Sequence, residues 1–223
     1  MTASTSRDLA PLRSAADLLR KGGLIAYPTD TVYGLAALPS DDAAVKRLFE
    51  AKKRSPEQPV PLIIASPANL VQVADDVPEV ARLLIREFWP GALTIVLQKA
   101  SGFRSSAIGD TVALRVPDHP IPRELVRLLG APITGTSANV SGGPEPLTVD
   151  DVISQLGDAV DLVIDGGRAP GSQPSTVVDC TVTPPCIVRV GAISRVELVR
   201  AAGVRFEERS GGSRTSAGGW REA

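Results

Sequence analysis

GGLIAYPTDTVYG, Gly22 to Gly34, carries the signals that decide the fold: a helix stop, a buried strand and a polar loop in direct succession. Gly22-Gly23 ends a helix that Ser14-Ala-Ala-Asp17 opens with the spacing of a capping box. Leu24 to Tyr27 is a short unbroken apolar run that stops at Pro28, as a buried strand does. The same alternation continues outward. Ser40, followed by Asp41 and Asp42, caps a helix that runs to about Lys52. Ser66-Pro67 starts another, and a further helix follows Pro78 and stops before Trp89-Pro90-Gly91. Pro122 to Leu129 reads as helix closed by Gly130; Thr148-Val-Asp-Asp151 and Ser194-Arg-Val-Glu197 open two more. Strands are expected at Pro61–Ile64, Leu93–Leu97, Val112–Val116, Val160–Ile164, Thr176–Val178 and Ile187–Val190. Helices and strands mix without strict alternation, which predicts an α/β domain with an open, twisted, mixed sheet flanked by helices.

A chain of 223 residues, 43% hydrophobic and 22% charged, is long enough for one domain with a full core. Its net charge of −1 excludes a general polyanion binder, so any RNA affinity has to come from a local patch. Cys180 and Cys186 lack the spacing of a metal knuckle. No apolar stretch approaches the roughly 18 residues of a membrane span, and the N-terminus lacks a signal-peptide apolar region. No membrane association is expected, and the cytoplasm is the expected location. GxxxxGK[ST], GxGxxG after a strand and GxSxG are all missing. The single histidine, His119, sits in VPDHP, where it reads as a residue shaping a Pro-rich turn. A Ser-His-Asp triad or His-rich metal site is therefore nearly excluded. Chemistry on this chain has to run by positioning and charge stabilisation.

Four polar segments carry the candidate residues: YPTDTVYG (Tyr27–Gly34), AKKRSPEQPVPL (Ala51–Leu62), GTSANVSGGPEP (Gly135–Pro146) and PSTVVD (Pro174–Asp179). Each sets small hydroxyl residues beside Pro or Gly next to an apolar run, as loops that bind phosphate or carboxylate do. Lys52 and Arg54 are either part of a solvated basic helix face or ligand cations at a loop mouth. Ser137-Ala138-Asn139 is either an ordinary turn or a phosphate-binding loop at a strand's end. Arg115 and Arg189 each interrupt an apolar strand, which calls for a fixed anionic partner, a structural carboxylate or a ligand. Asp30 is a candidate partner for magnesium or for an ammonium group.

These segments together resemble the YrdC-like family of L-threonylcarbamoyladenylate synthases. The family's K-x-R is present as Lys52-Lys53-Arg54 and its S-x-N as Ser137-Ala138-Asn139. PTDTVYG, W/GPG-x-LT, R-x-P and STVVD are present as Pro28–Gly34, Trp89–Thr94, Arg115–Pro117 and Ser175–Asp179. The resemblance spans roughly Leu18 to Val199, and six elements in the family's order make it specific. One departure stands out: where many members have a His in a P-L-I-V-H run, Pro59–Ile64 holds only apolar residues and prolines.

The resemblance implies a YrdC-like fold with a central basic cavity and a catalytic domain over residues 8–205; the Gly/Ser/Arg-rich composition of residues 206–223, which contain Trp220, predicts a disordered tail. Long members carry an additional C-terminal domain. The implied reaction makes L-threonylcarbamoyladenylate, pyrophosphate and water from L-threonine, bicarbonate and ATP, with magnesium accompanying ATP and no prosthetic group. Its product serves tRNA modification, completed by a separate transferase complex. Carried over by motif, Lys52, Arg54, Ser137 and Asn139 hold the nucleotide phosphates. Gln58, Thr111, Glu145 and Arg189 help to bind ATP, and Thr31, Arg115 and Ser175 bind threonine or its carbamate. Two alternatives accompany this reading. One is a non-catalytic double-stranded RNA-binding module of the same fold, with Lys46 to Arg54 as its patch. The other is a carbamoyl-adenylating domain like those of hydrogenase maturation proteins, for whose extra regions this chain has neither length nor cysteines.

Overall fold

Residues 9–171 and 173–208 are described by the computed structural model. The first helix, α1 (Ala10–Arg20), starts four residues before Ser14, because Pro11 in its first turn supplies a preset helical φ. It ends at Gly22, whose φ of 82° is open to glycine. β1 (Ile25–Tyr27) and β2 (Gly34–Ala36) form an antiparallel pair around the Pro28–Tyr33 loop. β2 was not foreseen: three residues are too few to show periodicity. α2 (Asp42–Ala51) is capped by Asp41 and not by Ser40, since the Asp41 carboxylate accepts from the Ala43 and Ala44 amides.

β3 (Leu62–Ile63) is followed by a 3-10 segment at Pro67–Gln72 and by α3 (Glu79–Phe88), β4 (Leu93–Gln98) and β5 (Thr111–Arg115). α4 (Pro120–Leu129) begins two residues before the expected Pro122, with His119 as its N-cap: Nδ1 accepts from the Ile121 amide at 3.3 Å. The sole histidine thus shapes a turn, as its Pro-flanked position predicts. β6 (Ile133–Thr134) and β7 (Thr136–Ser137) come next, then α5 (Val149–Leu156) behind the Thr148 capping box and β8 (Leu162–Val163). β9 (Thr176–Asp179), β10 (Cys186–Arg189), α6 (Arg195–Ala202) behind the Ser194 capping box and β11 (Glu207–Glu208) complete the described chain.

The mixed α/β architecture divides its strands between two sheets. The smaller has the order β7-β2-β1-β8 and the larger β11-β10-β9-β4-β5-β3-β6. β6 and β7 are separated by Gly135 alone, so the chain steps from one sheet to the other at that residue. Its amide donates to Pro61 O at 2.7 Å, and a Cβ there would lie 2.7 Å from Ile63 Cδ1. A side chain at residue 135 would therefore crowd the Ile63 side chain of the neighbouring strand β3.

Three apolar cores hold the layers. α3 and α6 pack on one face of the larger sheet through Leu84, Ile85, Leu198, Ile95 and Leu114. α2 and α5 cover the smaller sheet through Leu48, Val152, Leu24 and Leu35. α1 and α4 bridge both sheets, with Leu19, Leu125, Ile25 and Ile133 in one cluster. The opposite face of the larger sheet carries a small apolar patch of Val96, Ala113, Val177 and Val188. The domain boundary expected at residue 205 is too early: Phe206 is 2% exposed in the core, and Glu207–Glu208 pairs in parallel with β10. The remainder of the expected tail, with Trp220, lies outside the described residues.

Candidate functional site

A cavity of about 700 Å³ lies in the cleft between the two sheets. The smaller sheet contributes Tyr27, Gly34 and Ser137; the larger contributes Thr94, Ala113, Arg115, Val177 and Arg189. The two-residue period of a strand explains the division on β4: Leu93, Ile95 and Leu97 enter the core, and Thr94 faces the cavity. On β10 the period is broken. Ile187 opposes Val178 but Arg189 opposes Val177, so one extra residue is inserted between them. This bulge turns Arg189 to the same side as Val188, and both line the cavity.

Ten of the expected site residues line this one cavity: Lys52, Arg54, Gln58, Ser137, Asn139 and Glu145, with Thr31, Arg115, Ser175 and Arg189. Thr111 does not. It shares the strand face of Ala113 and Arg115 but stands at the other end of β5, four residues or roughly 13 Å from Arg115.

At one end, the K-x-R and S-x-N segments are locked together. Lys52 ends α2, and Lys53 adopts a left-handed φ of 49°, which turns the chain so that Arg54 follows the helix into the cavity. Lys52 is only 2% exposed. Its Nζ donates to Ser137 O at 2.5 Å, Asn139 O at 2.7 Å and Asn139 Oδ1 at 3.3 Å, the three-acceptor set an ammonium group requires. Burial, with the charge of Arg54, pulls its pKa down to about 7. The Ser141 amide donates to Lys52 O, Ser137 Oγ to Asn139 Oδ1, and Asn139 Nδ2 to Gly143 O. Arg54 donates to Gln58 O and Pro59 O in its own loop, and burial lowers its pKa. Of the two motif cations, Lys52 braces the S-x-N loop and Arg54 presents its charge at the loop mouth.

At the other end, Arg115 is held by three different acceptors. Nε donates to Gly91 O at 3.0 Å, one terminal nitrogen to Thr31 Oγ1 at 3.3 Å, and the other to Asp30 Oδ1 at 2.7 Å. The anion this strand arginine calls for is thus Asp30 within the protein. Asp30 itself is not part of the cavity wall. Arg189 donates to Ser175 O at 3.0 and 3.2 Å and to Ser175 Oγ at 3.3 Å. Ser175 Oγ also lies 2.8 Å from Thr94 Oγ1. Sequence reasoning missed Thr94, although it closes the W-P-G-A-L-T segment; its alternation with Leu93 and Ile95 was the available signal.

Most of the basic patch from Lys46 to Arg54 is internally spent. Arg47 pairs with Asp161 at 2.9 Å, Lys46 lies 3.8 Å from Glu50, and Lys52 is buried. Among the described residues no group of three or more His, Cys, Asp or Glu is arranged to hold a metal ion, and no helix is long and apolar enough to cross a membrane.

Fold and cleft define an α/β protein with two joined sheets and a cavity that offers cations and hydroxyls to anionic groups at both ends. Residues 17–191 match the Sua5/YciO/YrdC family profile, described as "Telomere recombination". The chain belongs to this family. It is 41% identical over 194 residues to the threonylcarbamoyl-AMP synthase of Pyrococcus abyssi, covering 86% of this chain and 57% of that one. It is 38% identical to the Bacillus subtilis threonylcarbamoyl-AMP synthase, covering 86% of this chain and 56% of that one. The chain therefore spans a little over half the length of these two relatives. A crystal structure of P. abyssi Sua5 complexed with L-threonine superimposes with a TM-score of 0.83 at 40% identity, over 88% of this chain and 58% of that one.

Proposed function

We infer that this chain is a threonylcarbamoyl-AMP synthase, converting L-threonine, bicarbonate and ATP to L-threonylcarbamoyladenylate, pyrophosphate and water. One observation carries the reading: a single cavity collects the K-x-R and S-x-N groups at one end and Arg115, Thr31 and Ser175 at the other. The names and L-threonine complex of its relatives support it.

The triphosphate lies at the Lys52–Arg54 end, where donors face the phosphates. Ser137 and Asn139 cradle it from a loop that Lys52 keeps rigid, and Gln58, Glu145 and Arg189 contact the rest of the nucleotide. Arg115 takes the threonine carboxylate, with Thr31 and Ser175 beside it. The threonine nitrogen and bicarbonate give a carbamate with loss of water. A carbamate oxygen then bonds to the α-phosphorus as the bond to the β-phosphate oxygen breaks and pyrophosphate leaves. The protein aligns these groups and offsets phosphate charge; it supplies no covalent nucleophile. Magnesium enters with ATP as part of the substrate.

The catalytic unit begins near residue 8 and extends past 205 to include β11. The product passes to a separate transferase that modifies tRNA, which places the reaction in the cytoplasm. Isotopically labelled bicarbonate tests the reading. Label recovered in an AMP adduct that also contains threonine supports it, and an AMP adduct free of the label refutes it.

A further inference from the structure

Tyr33 ends the loop before β2 and is not part of the cavity wall. It is fully buried, and its ring packs in the core that α2 and α5 form on the smaller sheet. Three separate loops are nevertheless bonded to it. Its amide donates to Pro146 O at 2.8 Å, next to Glu145. Its carbonyl accepts at 2.8 Å from the amide of Ala138, the central residue of S-x-N. Its hydroxyl donates to Gly167 O at 2.7 Å and accepts from the Gly166 amide at 3.3 Å. The main chain of Tyr33 thus holds residues at the S-x-N end of the cavity, and its side chain holds something else.

That something is segment 165–171, which is neither helix nor strand and is exposed at Gly166, Gly167, Pro170 and Gly171. With no ladder to fix it, its course depends on single tethers. Beyond Tyr33, Ala169 N donates to Leu147 O at 2.8 Å and Gly171 N to Thr31 O at 3.0 Å. The last bond reaches the L-threonine end, where Arg115 donates to Thr31 Oγ1 at 3.3 Å. Ser175 and Arg189 are held independently of this segment: Arg189 donates to Ser175 O, Thr94 Oγ1 lies beside Ser175 Oγ, and the Ala192 amide donates to Pro174 O.

We propose that Tyr33 is a positioning residue for L-threonine: its hydroxyl fixes segment 165–171, so that Gly171 holds Thr31 in place. The proposal rests on the reading that Thr31 contacts L-threonine. Tyr33→Phe keeps the buried ring and both main-chain bonds and removes only the hydroxyl. Gly166 and Gly167 are exposed, so water can satisfy the groups that the hydroxyl leaves, and the core is retained. What is lost is the course of the segment, and with it the donor to Thr31 O.

Calorimetry and amide hydrogen exchange test it. In Tyr33→Phe, Kd for L-threonine should rise at least about fivefold, the loss of one net hydrogen bond, with Kd for ATP within about twofold of the wild type. The Gly171 amide should exchange at least about tenfold faster, while the Ala138 amide keeps its rate. A role confined to folding predicts that both affinities weaken together or that neither changes, and either result overturns the proposal. So does weaker L-threonine binding with exchange at Gly171 unchanged. In the wild type, L-threonine should slow exchange at Gly171 at least about threefold. Absence of that slowing, in wild-type protein that binds L-threonine, overturns the proposal even where Tyr33→Phe does not fold. A folded wild type that binds ATP but no L-threonine refutes the synthase reading itself.

Discussion

Replacing Arg54 by alanine tests whether the cation at the mouth of the K-x-R loop acts on the ligand while Lys52 acts on the fold. The side chain is half-buried, and its partners, Gln58 O at 3.4 Å and Pro59 O at 3.1 Å, both belong to its own loop. Each such bond contributes about 1 kcal/mol net, and burial of the guanidinium opposes that gain, as its lowered pKa indicates. The folding free energy should fall by about 1 kcal/mol or less, which for a domain of this size is a Tm decrease of roughly 2–4 °C. Catalysis has more to lose. A preorganised donor aimed at developing charge is worth about 10²–10³ in rate, and a guanidinium on a transferring phosphoryl group somewhat more. Arg54→Ala is therefore expected to lower kcat/KM about 10³-fold, close to 4 kcal/mol of transition-state stabilisation. Thermal unfolding and threonine-dependent pyrophosphate release on the same preparation give both numbers. A Tm decrease beyond roughly 8 °C, or kcat/KM within about tenfold of the wild type, would refute the reasoning.

Lys52→Met should cost stability as well as activity: two backbone carbonyls lose their donor at about 1–3 kcal/mol each, partly offset by removal of a desolvated charge, for a net loss of about 2 kcal/mol and a Tm lower by roughly 4–8 °C. Because the Lys52 pKa is lowered from 10.5 to about 7 on folding, the unfolded chain binds more protons between those values, so wild-type stability should rise with pH across that window relative to Lys52→Met in parallel denaturant titrations. Gly191→Ala would set a Cβ 2.0 Å from Pro174 O and 2.7 Å from the Ser175 carbonyl carbon; the backbone has to move, and a loss of about 3 kcal/mol is expected from chemical denaturation. Thr94→Val removes the hydroxyl 2.8 Å from Ser175 Oγ; steady-state kinetics should show KM for L-threonine raised about tenfold with KM for ATP little changed.

Caps and glycines made most of the fold legible. Thr148 and Ser194 form capping boxes where S/T-x-x-D/E spacing places them, and Gly130 closes α4 with φ of 75°. Local signals failed where competing residues were adjacent: Asp41 outcompetes Ser40, and Pro11 outruns Ser14. Strands of two or three residues, such as β2 and β7, are too short for periodicity, and their pairing is long-range. The division into two sheets turns on Gly135, whose meaning depends on Pro61 and Ile63 across the seam. At the site, residue types in unusual contexts were informative: an arginine within an apolar strand does have a fixed anion, Asp30. Which cation braces the S-x-N loop and which stays within its own loop was not legible, because Lys52 and Arg54 flank the left-handed Lys53 and differ in the direction their side chains take there. Nor was the position of Thr111 along β5, which shares a strand face with the site but not its depth.

Pyrophosphate release from the purified protein supplied with ATP, magnesium and bicarbonate, with and without L-threonine, tests the central claim most directly. Release that requires both L-threonine and bicarbonate, with L-serine a much poorer substitute, is the predicted result. Release no greater than the threonine-free control, from folded protein that binds ATP, would contradict it.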